Sequence, residues 1–280
     1  MPATQIAQNL AFINWTVLSA LAFGSYGAVV LLRRRSAATS GFLGFTAVSA
    51  LVFGLLAWLS DGGLPDTLGG SPVVVDPTWD GPRRTAILAF VVLGAAAVVV
   101  RRFRPAAGRG LDLAAVGAAL LTLLFGALSW GGSSPSGIAG LLVQLAVLAA
   151  ATGGVFAAMI LGHWYLVTPK LPESPLLLLS RVLVAVIAIQ VGLFAVWVAT
   201  AAGPAGGAPF SALTGEWALF VWLRLIIGLI FPLIVSVGAL KTAATRSMES
   251  ATGLQYINVG TIAAGTILAA GLYFGAGLLV

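Results

Sequence analysis

The chain contains no cysteine and one histidine among 280 residues. The first absence excludes disulfides, thiolate zinc sites, cysteine-ligated iron–sulfur clusters and a catalytic thiol. The second leaves no way to build a bis-histidine haem from this chain alone. Charge is also scarce: 8% of residues are Asp, Glu, Lys or Arg, where a soluble domain carries roughly a quarter. No P-loop, G-x-S-x-G or H-E-x-x-H motif is present. No polar stretch is long enough for a separate soluble domain.

What is abundant is apolar surface. Hydrophobic residues make up 60% of the chain, and the mean hydropathy is +1.07. A helix needs about 20 apolar residues to cross the hydrocarbon core of a bilayer. Eight segments meet or approach that length: 10–32, 40–60, 84–100, 111–130, 138–167, 175–200, 217–243 and 254–279. The expected fold is an all-α integral membrane protein of eight transmembrane helices. Gly62-Gly63, Gly69-Gly70 and Gly131-Gly132-Ser133-Ser134-Pro135 punctuate the loops. Pro169 is expected to end the fifth helix, and Ser174-Pro175 to cap and start the sixth.

The charges set an orientation. Arg33, Arg34 and Arg35 follow segment 1, and Arg101, Arg102, Arg104 and Arg109 follow segment 3. Lys170 and Arg181 flank the turn between segments 5 and 6, and Lys241 and Arg246 close segment 7. The opposite loops hold Asp61, Asp66, Asp76, Asp80 and Glu216, with only Arg83 and Arg84 for positive charge. The positive-inside rule then places both termini outside, in the cytoplasmic (inner) membrane of a prokaryote. A net charge of +6 needs no nucleic-acid partner on that arrangement. The expected partners are membrane lipids and peripheral or membrane redox subunits.

Two halves, 1–135 and 136–280, look like a parallel 4+4 duplication. Gly110-Leu111 with Val116-Gly117 matches Gly253-Leu254 with Val259-Gly260 at the same spacing. Ala57-Trp58 resembles Val196-Trp197. Gly24, followed by Ala28-Val29-Val30-Leu31-Leu32, resembles Gly153, followed by Ala157-Ala158-Met159-Ile160-Leu161. The alternative is chance similarity among small-residue helices. In these alignments His163, Lys241 and Asn258 fall opposite Arg34, Val98 and Ala115, so the second half carries polar groups that the first lacks. Helix count and bundle arrangement resemble the NrfD-type membrane subunits of molybdenum oxidoreductases; no residue role is carried over on that ground.

Ionisable groups in a membrane segment are the strongest pointers to function. His163 lies six residues before Pro169, and Arg181 six residues after Pro175, each roughly 9 Å into its helix at 1.5 Å per residue. Lys241 lies a similar distance before Arg246, and Tyr256 and Asn258 lie just inside the start of the eighth segment. With Tyr165 they form a polar layer near the cytoplasmic face. Such a layer suits the head of a quinone, whose carbonyls need hydrogen-bond donors and whose reduction needs protons. His163 is the candidate catalytic residue, because imidazole donates, accepts and titrates near neutrality. Tyr165, Arg181, Lys241, Tyr256 and Asn258 are candidate quinone ligands, and Glu173 and Glu249 candidate proton relays. The plainer alternatives are snorkelling anchors for the basic residues and an interfacial belt for the aromatics. An anionic lipid headgroup also fits the basic members.

Two further intramembrane polar groups stand apart. Arg224 is eight residues beyond Glu216, and Pro232 interrupts the same segment another eight residues on. Gln190 lies mid-way along segment 6, as helix–helix glue. The expected function is a quinone-binding membrane subunit of a respiratory electron-transfer complex. A small-solute or lipid transporter is the alternative, and a structural anchor without ligand a third. No metal site is expected.

Overall fold

Lipid offers the backbone no hydrogen bonds, so each apolar run must satisfy its own amides and carbonyls by coiling into a helix. A computed structural model describes residues 1–168 and 170–280. Its regular structure is helical throughout, with eight helices long and apolar enough to cross a membrane. A short helix α1 (Pro2–Gln8) leads into α2 (Leu10–Arg35), α3 (Ser40–Asp61), α4 (Asp80–Val100), α5 (Pro105–Trp130), α6 (Pro135–Val167) and α7 (Ser174–Thr200). The seventh span is composite: α8 (Ala218–Leu225), a π turn (Ile226–Ile230) and α9 (Phe231–Ala244). Helix α10 (Met248–Ala276) is the eighth span. Pro169, expected to end the fifth segment, lies outside the described residues.

Some boundaries differ from expectation for identifiable reasons. Helix α4 begins at Asp80 rather than near residue 84, and a 3₁₀ turn (Pro77–Trp79) precedes it. Its charged first turn folds because Arg83 is neutralised inside the protein, as described below. Helix α5 starts at Pro105, where proline's missing N–H costs nothing. Helix α10 begins six residues before the apolar run and ends at Gly277, whose φ of 69° is a left-handed C-terminal cap. No sequence signal pointed to α1.

Helices α2 and α6 form the centre. They cross at Gly24 and Gly153, where a Cβ on Gly24 would lie 2.9 Å from the Gly153 Cα and closer still to the Ala149 carbonyl. Only glycine permits this approach, and the Ser25 hydroxyl seals it by donating to the Gly153 carbonyl at 3.2 Å. Around this crossing, α3 packs on α2 and α4, and α4 on α5; α7 packs on α6 and α9, and α9 on α10. Helix α5 reaches α6, and α10 reaches α2, so each half touches the central helix of the other.

One end of the bundle carries Arg33–Arg35, Arg101, Arg102, Arg104, Arg109, Lys170 and Arg246; this is the basic end. The other holds both termini, α1 and the 62–79 and 201–217 loops. There an aromatic knot joins the halves: Trp130 lies edge-on to Phe12, Trp15 and Phe274, with ring centroids 4.8–5.6 Å apart. The Tyr273 hydroxyl donates to the Trp130 carbonyl at 2.7 Å.

Candidate functional site

The polar layer expected around His163 is only partly assembled. His163, Arg181, Lys241 and Tyr256 are all exposed on the outside of the bundle. Asn258 is buried and donates to the Ser236 hydroxyl at 2.7 Å, tying α10 to α9. Tyr165 is buried and its hydroxyl donates to the Pro172 carbonyl. Around Tyr165 lies a surface cavity of about 560 Å³, also lined by Leu171, Arg246 and Glu249. Glu173 does not line this cavity but pairs at 2.9 Å with Arg246, which does. Tyr165 and Glu249 therefore share the cavity, with Glu173 linked to it through Arg246, while His163, Arg181, Lys241, Tyr256 and Asn258 are not part of it.

Arg224 and Gln190 do meet. The Arg224 Nη2 donates to Gln190 Oε1 at 2.7 Å, and its Nη1 to the Gly228 carbonyl at 3.2 Å. Proline explains the second bond. Pro232 has no N–H to offer the carbonyl four residues earlier, which is that of Gly228. The chain widens there into the π turn, with the Phe231 N–H bonded back to the Ile226 carbonyl, and the guanidinium takes the vacant acceptor. Gly265 on α10 makes room: a Cβ there would meet Arg224 Nη1 at 2.9 Å. Among the described residues, no carboxylate pairs with Arg224.

The cavity that best resembles a binding site lies elsewhere. A cleft of about 240 Å³ opens between α2, α5, α6 and α7. On α2 it spans Phe23 to Leu31, roughly 6–18 Å from the basic end of that helix. Leu123, Leu183 and Phe90 form its wall, and half-exposed Leu120 stands at its lipid-facing edge. Gly27 creates the space: a Cβ built there meets nothing within 4 Å. Phe156, on α6, lies edge-on to Phe53 of α3 at 5.3 Å.

Tyr26 is the one cleft-lining residue with a polar side chain. Its hydroxyl donates to Asp112 Oδ1 at 2.8 Å. The same carboxylate receives Arg33 Nη1 at 2.9 and 3.2 Å and is held by Arg101. Helices α2 and α5 and the end of α4 thus converge on one buried acid. Between Asp112 and the basic end lies a 30 Å³ void lined by Arg33, Arg34, Arg101 and Arg109, room for about one water. The sequence held the clue: Asp112 is the only carboxylate inside the apolar segments, one helical turn from a basic flank. Arg33 and Arg101 had looked like flanking charges alone.

A second buried ionic node sits at the opposite end. Arg83 Nε bonds Asp61 at 2.7 Å, and its Nη1 bonds Asp80 at 2.8 Å and the Ser129 hydroxyl at 3.0 Å. Its guanidinium lies 4.6 Å from the centre of the Trp130 ring. Arg84 stacks on Trp58 at 4.5 Å. Next to this node, Asp76 caps the 3₁₀ turn by accepting the Thr78 N–H at 3.0 Å. Hydrogen bonding from Thr78 holds its carboxyl below the ordinary aspartate value. Among the described residues, no group of three or more His, Cys, Asp or Glu is placed to hold a metal ion.

By sequence, the chain matches no protein-family model and no curated protein.

Proposed function

We propose that the chain is a quinone-binding membrane subunit of an electron-transfer complex, with the ligand held in the cleft between α2, α5, α6 and α7. The observation that carries the proposal is an apolar, lipid-edged cleft with one polar side chain in its lining, Tyr26, whose buried hydroxyl is bonded to Asp112. A long apolar molecule with one hydrogen-bonding head matches that shape: a tail toward lipid at Leu120 and a head toward Tyr26. With no cysteine and one histidine, the chain has no ligand set for a cluster or a bis-histidine haem. Electrons would reach the cleft from a partner subunit, for which the exposed His163, Arg181 and Lys241 at the basic end offer a docking or lipid-headgroup surface.

The asymmetry of charge supports the basic end as cytoplasmic and both termini as external, in a prokaryotic inner membrane. The crossing of Gly24 on Gly153, and the matching neighbours of α2 and α6, support descent of the halves from one four-helix unit. Arg224 favours a second reading. A mid-span guanidinium with neutral partners beside a π turn also suits a solute pathway.

Purification in mild detergent followed by solvent extraction tests the proposal. Quinone should co-extract near one per chain, and a photoreactive quinone should label cleft positions such as Leu120 and Val182. A chain that purifies alone and ligand-free, or labels only at the Tyr165 cavity, sinks it. Uptake of solute into liposomes by the isolated chain would favour the transport reading.

A further inference from the structure

We infer that the small void between α2, α5 and the end of α4 is the seat of a phosphate group, carried by a lipid headgroup or free in solution. The void shares no lining residue with the cleft, so a quinone there and a phosphate here are independent. Arg33, Arg34, Arg101 and Arg109 line it together with a single carboxylate, Asp112. A guanidinium stays protonated in proteins, so the lining carries an excess of three positive charges. Asp112 is committed to Arg33 and Arg101. Among the described residues, Arg34 and Arg109 pair with no carboxylate, and the buried Arg101 Nε has no hydrogen-bond partner. Like charges gathered around one small space repel, and an anion placed among them reverses the sign of each interaction.

The lining runs from the interior to the surface. The side chains of Asp112 and Arg33 are 4% and 12% exposed, whereas Arg34 and Arg109 are exposed residues. The space of about 30 Å³ admits one oxygen-sized atom. One phosphate oxygen therefore enters, and the others stay outside for the exposed pair, whose planar forks suit them. The inner pair is set in advance. Arg33 and Arg101 are fixed on Asp112, and their N–H groups cover both of its oxygens, which shields an arriving anion from the carboxylate. Gly108 lets the first turn of α5 close on Arg101: a Cβ there would lie 2.9 Å from the Arg101 Cα.

Three probes test the seat on purified protein stripped of native lipid: inorganic phosphate, dioleoylphosphatidylglycerol and dioleoylphosphatidylcholine. Binding is read by native mass spectrometry and by thermal shift. The zwitterionic lipid brings its own cation and gains least from the excess charge. Phosphatidylglycerol retained in preference to phosphatidylcholine, and not displaced by inorganic phosphate, assigns the seat to a lipid headgroup. Inorganic phosphate that binds or displaces the lipid assigns it to the soluble ion. Arg34→Gln combined with Arg109→Gln should weaken whichever binding is found by about 25-fold, roughly fivefold per arginine, without lowering the melting temperature of the empty protein, because both side chains are exposed. Arg35→Gln combined with Arg102→Gln removes the same charge from exposed arginines of the same end that do not line the void, and should change binding little. Equal losses in the two double variants mean a diffuse surface attraction and overturn the seat. So does a protein that binds no inorganic phosphate and does not distinguish the two lipids.

Discussion

Replacing Gly27 by phenylalanine fills the cleft from inside. The side chain enters open space, since a Cβ at Gly27 has no neighbour within 4 Å. Core cavities cost about 24 cal/mol per Å³, so an empty 240 Å³ void would correspond to roughly 6 kcal/mol. Inside a bilayer much of the transfer part of that cost is absent, because lipid is as apolar as the core. Dispersion contacts and the removal of a mid-helix glycine, about 0.5–1 kcal/mol, remain. A net gain of about 1 kcal/mol is expected, which raises the melting temperature of ligand-stripped protein by about 2–4 °C. The same variant should lose its co-purifying lipophile. Gly24→Ala, three residues away on the same helix, is the control. Its Cβ would lie 2.9 Å from the Gly153 Cα, so α2 and α6 must separate, and the protein should melt far lower. A Gly27→Phe variant as unstable as Gly24→Ala, or one that keeps its ligand, would refute the cleft as open space.

The node at the opposite end makes a different prediction. Asp61→Ala should cost about 3–5 kcal/mol in denaturant unfolding, because it strands a buried guanidinium; Arg83→Lys should not be tolerated, since an ammonium cannot reach Asp61, Asp80 and Ser129 while stacking on Trp130. Arg224→Met should destabilise by about 1–3 kcal/mol by orphaning Gln190 Oε1 and the Gly228 carbonyl, and adding Gln190→Leu should recover part of the loss; strict additivity of the two would contradict their pairing. The depressed folded-state value of Asp76 means that its cap is fully present above the ordinary aspartate pKa of 3.8 and is lost only as pH falls through the lower folded value. Amide exchange at Thr78, corrected for its intrinsic pH dependence, should therefore show constant protection down to about pH 4 and weaken below it.

The spans were legible because a run long enough to cross lipid has one structural solution. Azimuth was not. In water, the apolar stripe of a helix tells which side faces the core; in lipid both sides are apolar, and the stripe vanishes. His163, Arg181, Lys241 and Tyr256 therefore face outward instead of meeting in one layer inside the bundle. The start of α4 was misplaced because the charges of Arg83 and Arg84 read as the edge of the bilayer, whereas Asp61, Asp80 and two tryptophan faces take them in. The cleft was hidden for the opposite reason: it depends on a side chain that is missing at Gly27, and on Tyr26 and Asp112 meeting across 86 positions of sequence.

The break in the seventh span links two distant choices of residue. Pro232 leaves the Gly228 carbonyl without its usual amide, and Arg224 supplies the missing proton from its own side chain. Neither residue is free to drift alone. An ordinary residue at 232 would hand the carbonyl back to the backbone and leave a buried charged group with one partner fewer, while a neutral residue at 224 would leave proline's gap unfilled. Substitutions at the two positions should be accepted together and rejected singly, a signature of epistasis that a library varying 224 and 232 at once would expose.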